Sequence, residues 1–232
     1  MIIPPAKPVL KTYLQLCASR HSLSRFITNS VISSISFLPG GGTVLDIGGK
    51  PHSPKDCKSL FSGYDSWLTL NVNPGSSPDF VHDCNYPLPF EDARFDHVVS
   101  ISTLEHIKNI GLAVSEIVRV TKPGGFIVLA VPFLFGVHGD PEDYHRPTSS
   151  WWRDKLEELG ICEAHQKIYP LCWDPLSSAL SLVDNQWPVW LCRLLRPFIL
   201  LPGLLFSLWH DSTYWRKISL PLGYVIVAKR YT

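Results

Sequence analysis

Several things are missing from this sequence, and each absence narrows what the chain can do. Charge imbalance is almost absent: 21 Lys and Arg against 20 Asp and Glu leave a formal net charge of +1. A nucleic-acid partner would favour a basic face, so none is expected. No CxxC pair occurs among the six cysteines, Cys17, Cys57, Cys84, Cys162, Cys172 and Cys192. A chain of 232 residues buries enough surface to fold without a disulfide framework. The cysteines therefore read as reduced and mostly buried. The opening MIIPPAKPVLKTYL has prolines where a signal peptide would carry its apolar run, so no secretory signal is expected, and the expected location is cytoplasmic. Internal repeats and low-complexity linkers are also absent.

What is present is a globular composition, 45% hydrophobic and 18% charged, suited to one domain over residues 1–232. Residues 10–37 read as mixed and helical, within an N-terminal segment, 1–40, that ends in LPGGG. Short apolar runs then alternate with helical patterns. Strands are expected at 43–47, 67–71, 80–82 and 95–100, with a short helix at 54–61. IGLAVSEIVRV (110–120) has apolar residues three and four apart, as an amphipathic helix does. KPGG (122–125) ends it with turn chemistry, and FIVLAVPF is a buried strand. A helix is expected over 149–159. PLGYVIVAKR supplies the last strand, with 161–169 as its antiparallel partner. Such alternation predicts an α/β fold: a Rossmann-like, mostly parallel seven-stranded sheet with an antiparallel last strand and helices on both faces.

Ligands of such sheets bind beyond the carboxyl ends of the strands. Asp46, Asn71, Asp83 and Ser100 fall at or just after four such ends. Asp46 is followed at once by Gly48 and Gly49, which permit a sharp turn or a close backbone approach. GxGxxG does not follow the strand, which weakens a nicotinamide reading. Taken singly, Asn71 reads equally as a strand-end cap and Asp83 as a loop aspartate; four on successive strands suggest one cleft.

The segments VLDIGG, LTLNV, HDCNYPLPFEDARFDHVVSISTLEHI and EIVRVTKPGGFIVLAVPF, in that order, resemble class I S-adenosylmethionine-dependent methyltransferases of the type 11-like group. The resemblance covers residues 43–133, with GYVIVAK matching the last strand. It implies S-adenosyl-L-methionine as cofactor and methyl transfer as the activity. It also implies that Asp46, Gly48 and Gly49 line the methionine portion, that Asn71 faces the ribose, that Asp83 and Cys84 lie beside adenine, and that Ser100 borders the sulfonium. Glu105 and His106 match the group's LEH, with His106 either at the acceptor site or in packing. Two departures stand out. Lys50 and His52 occupy positions where further glycines are usual, and Asn71 stands where an acid is usual. Both are compatible with a weakened cofactor site or a member that binds without catalysing.

PFLFGVHGDPEDYHRPTSSWW (132–152) resembles a second motif found in a subset of these proteins. It places His138, Asp140, Asp143, Tyr144, His145 and Arg146 near the expected methyl donor. The sulfonium is already activated, so the protein mainly aligns the acceptor and removes its proton. Alignment contributes up to roughly 7–11 kcal/mol, and a base adds roughly 10²–10⁴-fold. Histidine suits a hydroxyl acceptor near neutral pH. The catalytic candidates are His138 as base, His145 as second choice, and Asp143. The plainer alternative is a structural loop with Arg146 paired to Asp143. His138, Asp140 and His145 also have the side chains of a metal site, but the resemblance lends that no support and no metal is expected.

Residues 171–220 form an apolar insert longer than a hairpin needs. Its stretch 189–209 approaches the length of a bilayer span, but Arg193, Arg196, Pro197 and Pro202 interrupt it. Three readings stand: a helical lid or oligomer surface, a peripheral membrane contact, and a span. The expected acceptor is a small molecule, glycan or lipid-linked group, methylated at oxygen; the rival is an inactive binding or scaffold protein of the same fold.

Overall fold

The computed structural model describes residues 23–35, 41–52, 56–171 and 220–231, with isolated positions elsewhere. Helix α1 (Leu23–Ile35) precedes strand β1 (Thr43–Ile47), β2 (Ser66–Asn71), β3 (Phe80–Val81) and β4 (Phe95–Ile101). Helix α2 (Ile110–Val120), strand β5 (Thr121–Pro132), helix α3 (Ser149–Glu158), β6 (Gln166–Pro170) and β7 (Gly223–Lys229) complete the order. The seven strands form one sheet in the order β3-β2-β1-β4-β5-β7-β6. Neighbours from β3 through β5 pair in parallel, and β7 runs antiparallel to both β5 and β6. The expected Rossmann-like architecture is therefore present.

Period-two alternation builds the two faces. On one, Leu45, Ile47, Leu70, Val98, Ile127 and Leu129 pack with Ile110, Val114 and Ile117 of α2 and Trp152 and Leu156 of α3. On the other, Val44, Trp67, Val99, Val128 and Val225 pack with Ile27 and Ile32 of α1 and with Cys57 and Phe61. Each helix is amphipathic because only one of its faces meets the sheet. Asn109 and Thr148 cap α2 and α3 by accepting from Leu112 N and Trp151 N.

The loop from β3 to β4 is tied to α2 by Arg119. Its guanidinium donates to Glu116 and Asp92 and to the carbonyls of Leu88 and Phe90. Glu116 in turn accepts from Leu88 N at 2.7 Å. This clamp fixes the chain that follows Asp83, on the way to the strand that carries Ser100.

Some details differ from expectation. In place of a helix over 54–61, one 3-10 turn stands at Lys58–Leu60; residues 53–55 lie outside the described set. KPGG is taken into β5 as an irregularity: Thr121 pairs with Phe95 and Phe126 with His97, so residues 122–125 bulge between them. Of the N-terminal segment, only α1 and positions 3 and 15 are described. Most of 171–220 lies outside the described residues. Within it, Trp190, Leu194, Phe198, Leu201 and Leu205 have exposed side chains. No helix among the described residues is long and apolar enough to cross a membrane.

Candidate active site

At the carboxyl edge of the parallel strands lies a cavity of about 690 Å³. Five strand ends reach it: Asp46 in β1 with Gly48 and Gly49 after it, Asn71 at the end of β2 with Asn73 after it, Asp83 to Asn85 after β3, Ser102 and Thr103 after β4, and Pro132 at the end of β5. The far wall is made by Phe135, His138, Asp140 and Tyr144. Thr28 and Asn29 of α1 also line it, and sequence reasoning missed them because their spacing in that helix carries no motif.

Alternation explains who reaches the cavity. Asp46 shares the α1 face with Val44 and is 2% exposed. Its Oδ2 accepts from Trp67 Nε1 at 3.3 Å and from Cys57 Sγ at 3.4 Å. Burial pushes its carboxyl up to about 7, against those two hydrogen bonds. The Cys57 thiol is pushed well above its usual range by burial and by Asp46. Gly48 has φ +85° and approaches Thr103 so closely that a Cβ would lie 1.9 Å from its Oγ1. Glycine is therefore demanded here by the fold as well as by any ligand.

Asn71 lines the cavity, but its amide is already engaged. Nδ2 donates to the carbonyls of Gly48 and Gly49 at 3.1 Å each, and Oδ1 accepts from Asn73 N at 2.9 Å. The side chain thus splints the glycine loop, and one Oδ1 lone pair is left for a ligand. The Asp83 carboxylate accepts from Asn85 N and Nδ2, both at 2.9 Å, in a local turn. Burial, with Asp83 second, pushes the neighbouring Cys84 thiol up to about 12.

Three sequence candidates stand off the cavity wall. Ser100 shares the α2 face with Val98, and its Oγ donates to Ile47 O at 3.1 Å. His145 turns its Nε2 to the Lys108 carbonyl at 3.0 Å. Asp143 is paired with Arg146 by two short hydrogen bonds, and its Oδ2 accepts from His138 N at 3.0 Å. Burial opposes ionisation of Asp143, but Arg146 and His138 outweigh it and hold its carboxyl below the usual range. Asp143 is thus a brace behind His138.

Lys50, a departure in sequence, reaches across to Asp140 at 2.9 Å. His52 has φ +61°, the left-handed region where glycine is the default, which accounts for its place as a departure from a glycine position.

Residues 68–129 match the family model described as a methyltransferase domain. A Haloferax volcanii complex between the Trm112 methyltransferase activator and a methyltransferase contains a chain that superposes with a TM-score of 0.56. The match covers 89% of this chain and 90% of that one at 18% identity. The fold is that of the class I methyltransferases. Phosphoethanolamine N-methyltransferase 2 of Haemonchus contortus, solved with S-adenosyl-L-methionine, shares this fold at TM-score 0.55 and 16% identity, over 88% of this chain and 52% of that one. An uncharacterized methyltransferase of Mycobacterium sp. (strain JLS) is 30% identical over 112 residues, 45% of this chain and 44% of its own length. The matched part spans less than half the length of such curated relatives. The methyltransferase fold accounts for the cavity's position at the carboxyl ends of β1 to β5.

Proposed function

We propose that this protein is an S-adenosylmethionine-dependent methyltransferase acting at oxygen on a small-molecule, glycan or lipid-linked acceptor. One observation carries the reading: Asp46, Gly48, Gly49, Asn71, Asp83 and Cys84 line a single cavity whose other wall holds His138. Asp46 and the glycine loop take the methionine portion; its ammonium restores the ionised form of a carboxyl that burial holds near neutrality. The free lone pair of Asn71 accepts from a ribose hydroxyl. Asp83 and Cys84 border the adenine. His138 has a half-exposed ring, with Nδ1 3.4 Å from the Asp143 carboxylate, and serves as the base for an acceptor hydroxyl.

Equilibrium titration with S-adenosylmethionine tests the cofactor half. Absence of binding near millimolar concentration would remove the reading. Labelling of a native extract with a methyl-labelled cofactor, followed by mass identification of the product, tests the acceptor half.

A second reading, a binding or scaffold protein without turnover, is favoured by the engaged amide of Asn71 and the Lys50–Asp140 bridge between opposite walls. Cofactor binding with no labelled product in any extract fraction would select it.

A further inference from the structure

The cavity contains a second group of side chains that the cofactor roles leave unused. Glu105 is 0% exposed, and neither of its carboxylate oxygens has a hydrogen-bond partner. A buried carboxylate without donors is costly, so such a group usually has a cation or a proton for company. His106 lies beside Glu105, with Nε2 3.7 Å from Oε1. His138 comes from the loop after β5, its ring centroid 5.0 Å from that of His106. One ligand-capable atom from each of Glu105, His106 and His138 lies within 4.8 Å of the others.

Both imidazoles have one ring nitrogen set against a backbone carbonyl. His106 Nδ1 is 2.6 Å from the Glu142 carbonyl oxygen, and His138 Nδ1 is 3.1 Å from that of Gly136. A carbonyl only accepts, so each Nδ1 carries its proton and each Nε2 keeps its lone pair. A ring N–H held by a backbone carbonyl is the usual support of a metal-bound histidine. The support continues outward, since Asp143 accepts from His138 N and is held by Arg146. Glu105 is anchored too: its carbonyl accepts from Tyr144 N at 2.8 Å and from His145 N at 3.3 Å.

We propose that Glu105, His106 and His138 form a binding site for a divalent transition metal ion, with its remaining coordination positions open to the cavity. Two imidazole nitrogens and one carboxylate oxygen suit zinc, manganese or iron(II) better than calcium or magnesium. Three protein ligands with an open position are the pattern of a reactive site, not of a structural one. This set differs from the grouping the sequence suggested: Asp140 is held by Lys50, and His145 turns to Lys108.

The role of the ion rests on the proposed methyl transfer. A bound metal takes an acceptor hydroxyl as ligand and lowers its pKa, so the proton leaves to water. The oxygen then forms its bond to the methyl carbon while the carbon–sulfur pair stays on sulfur, giving the neutral thioether. His138 then holds the ion instead of acting as base.

The test is equilibrium dialysis and calorimetry of the chelator-treated full chain with zinc or manganese chloride, and cobalt absorption as a spectroscopic readout. Stoichiometric, submillimolar binding is expected, with affinity reduced at least about tenfold in Glu105→Gln and in His138→Gln. Thermal melts confirm that each variant folds; His138, with a 39% exposed side chain, is the safer of the two to substitute. Absence of binding to the wild type, or unchanged affinity in a folded variant of either residue, would overturn the site. S-adenosylmethionine titration is run separately on the same samples. Cofactor binding without metal binding sinks the metal site alone, and metal binding without cofactor binding sinks the methyl-transfer reading alone.

Discussion

The Lys50 ammonium meets the Asp140 carboxylate at 2.9 Å, so two loops 90 residues apart in sequence are joined across the cavity. Both side chains are partly solvated, at 33% and 60% exposure. Pairs of this kind contribute about 1 kcal/mol or less. Lys50→Ala is therefore expected to leave the denaturation midpoint nearly unchanged while loosening the loop that carries His138. Urea melts check the first part, and protease sensitivity around Gly139 checks the second.

Gly48 gives a sharper expectation. Alanine there meets a positive φ and sits 1.9 Å from Thr103 Oγ1. Gly48→Ala should destabilise by more than about 1 kcal/mol, because at a positive φ the loss exceeds the roughly 0.4–1 kcal/mol that the same change gains at a compatible site. The Gly48→Ala/Thr103→Gly double variant should recover part of that loss, because the contact goes but the backbone strain remains. A double-mutant cycle by chemical denaturation measures the coupling.

Asn71→Asp is expected to lower stability. A carboxylate cannot donate to the Gly48 and Gly49 carbonyls, so two hydrogen bonds are replaced by repulsion. A loss of about 1–3 kcal/mol is expected. Equal or greater stability of Asn71→Asp in urea would show that the amide does not splint the loop.

The buried acids make stability depend on pH in a defined direction. Asp46 and Glu105 have carboxyls raised to about 7 by burial, so the folded state holds protons that the unfolded state has released. Their contribution is fully present below about pH 4 and is lost as pH rises to about 7. His97 acts the other way, because burial lowers its pKa. The informative comparison is therefore between the wild type and Asp46→Asn. The decline in unfolding free energy from pH 5 to pH 8 should be shallower in the variant. Parallel curves would mean that Asp46 ionises normally in the fold.

Arg119 holds the β3–β4 loop through three partners, Asp92 and the carbonyls of Leu88 and Phe90, while also pairing with Glu116 on its own helix. Arg119→Met should destabilise by about 2–4 kcal/mol, since it leaves the Glu116 carboxylate without its guanidinium and two carbonyls without a donor. Calorimetric melting checks this. A shift as small as that of Lys50→Ala would contradict the clamp.

The strand ends were legible because periodicity and glycine placement are local. Thr43–Ile47 and Ile110–Val120 stand where the pattern put them. Face assignment was only half legible: Asp46 shares parity with Val44, and Ser100 with Val98, but that these are opposite faces follows from the register, in which Asp46 pairs with Val99 and Ile47 with Ser100. Other features are set by contacts distant in sequence, which no local pattern encodes. Lys50 meets Asp140, His106 meets Glu142 O, and His145 turns to Lys108 only once β5 and its loop have folded back. The isolation of Glu105 likewise depends on what surrounds it in space. LEH reads as packing or as chemistry alike until that burial is known.

The wall carrying His138 is one unbroken piece of chain between β5 and α3, whereas the wall opposite is assembled from the tips of several strands. The first can be swapped or lengthened by a single genetic event without altering any register in the sheet. The second changes only if several segments change together. Diversification in this lineage is therefore expected to concentrate between Phe133 and Pro147, while the opposite half drifts slowly.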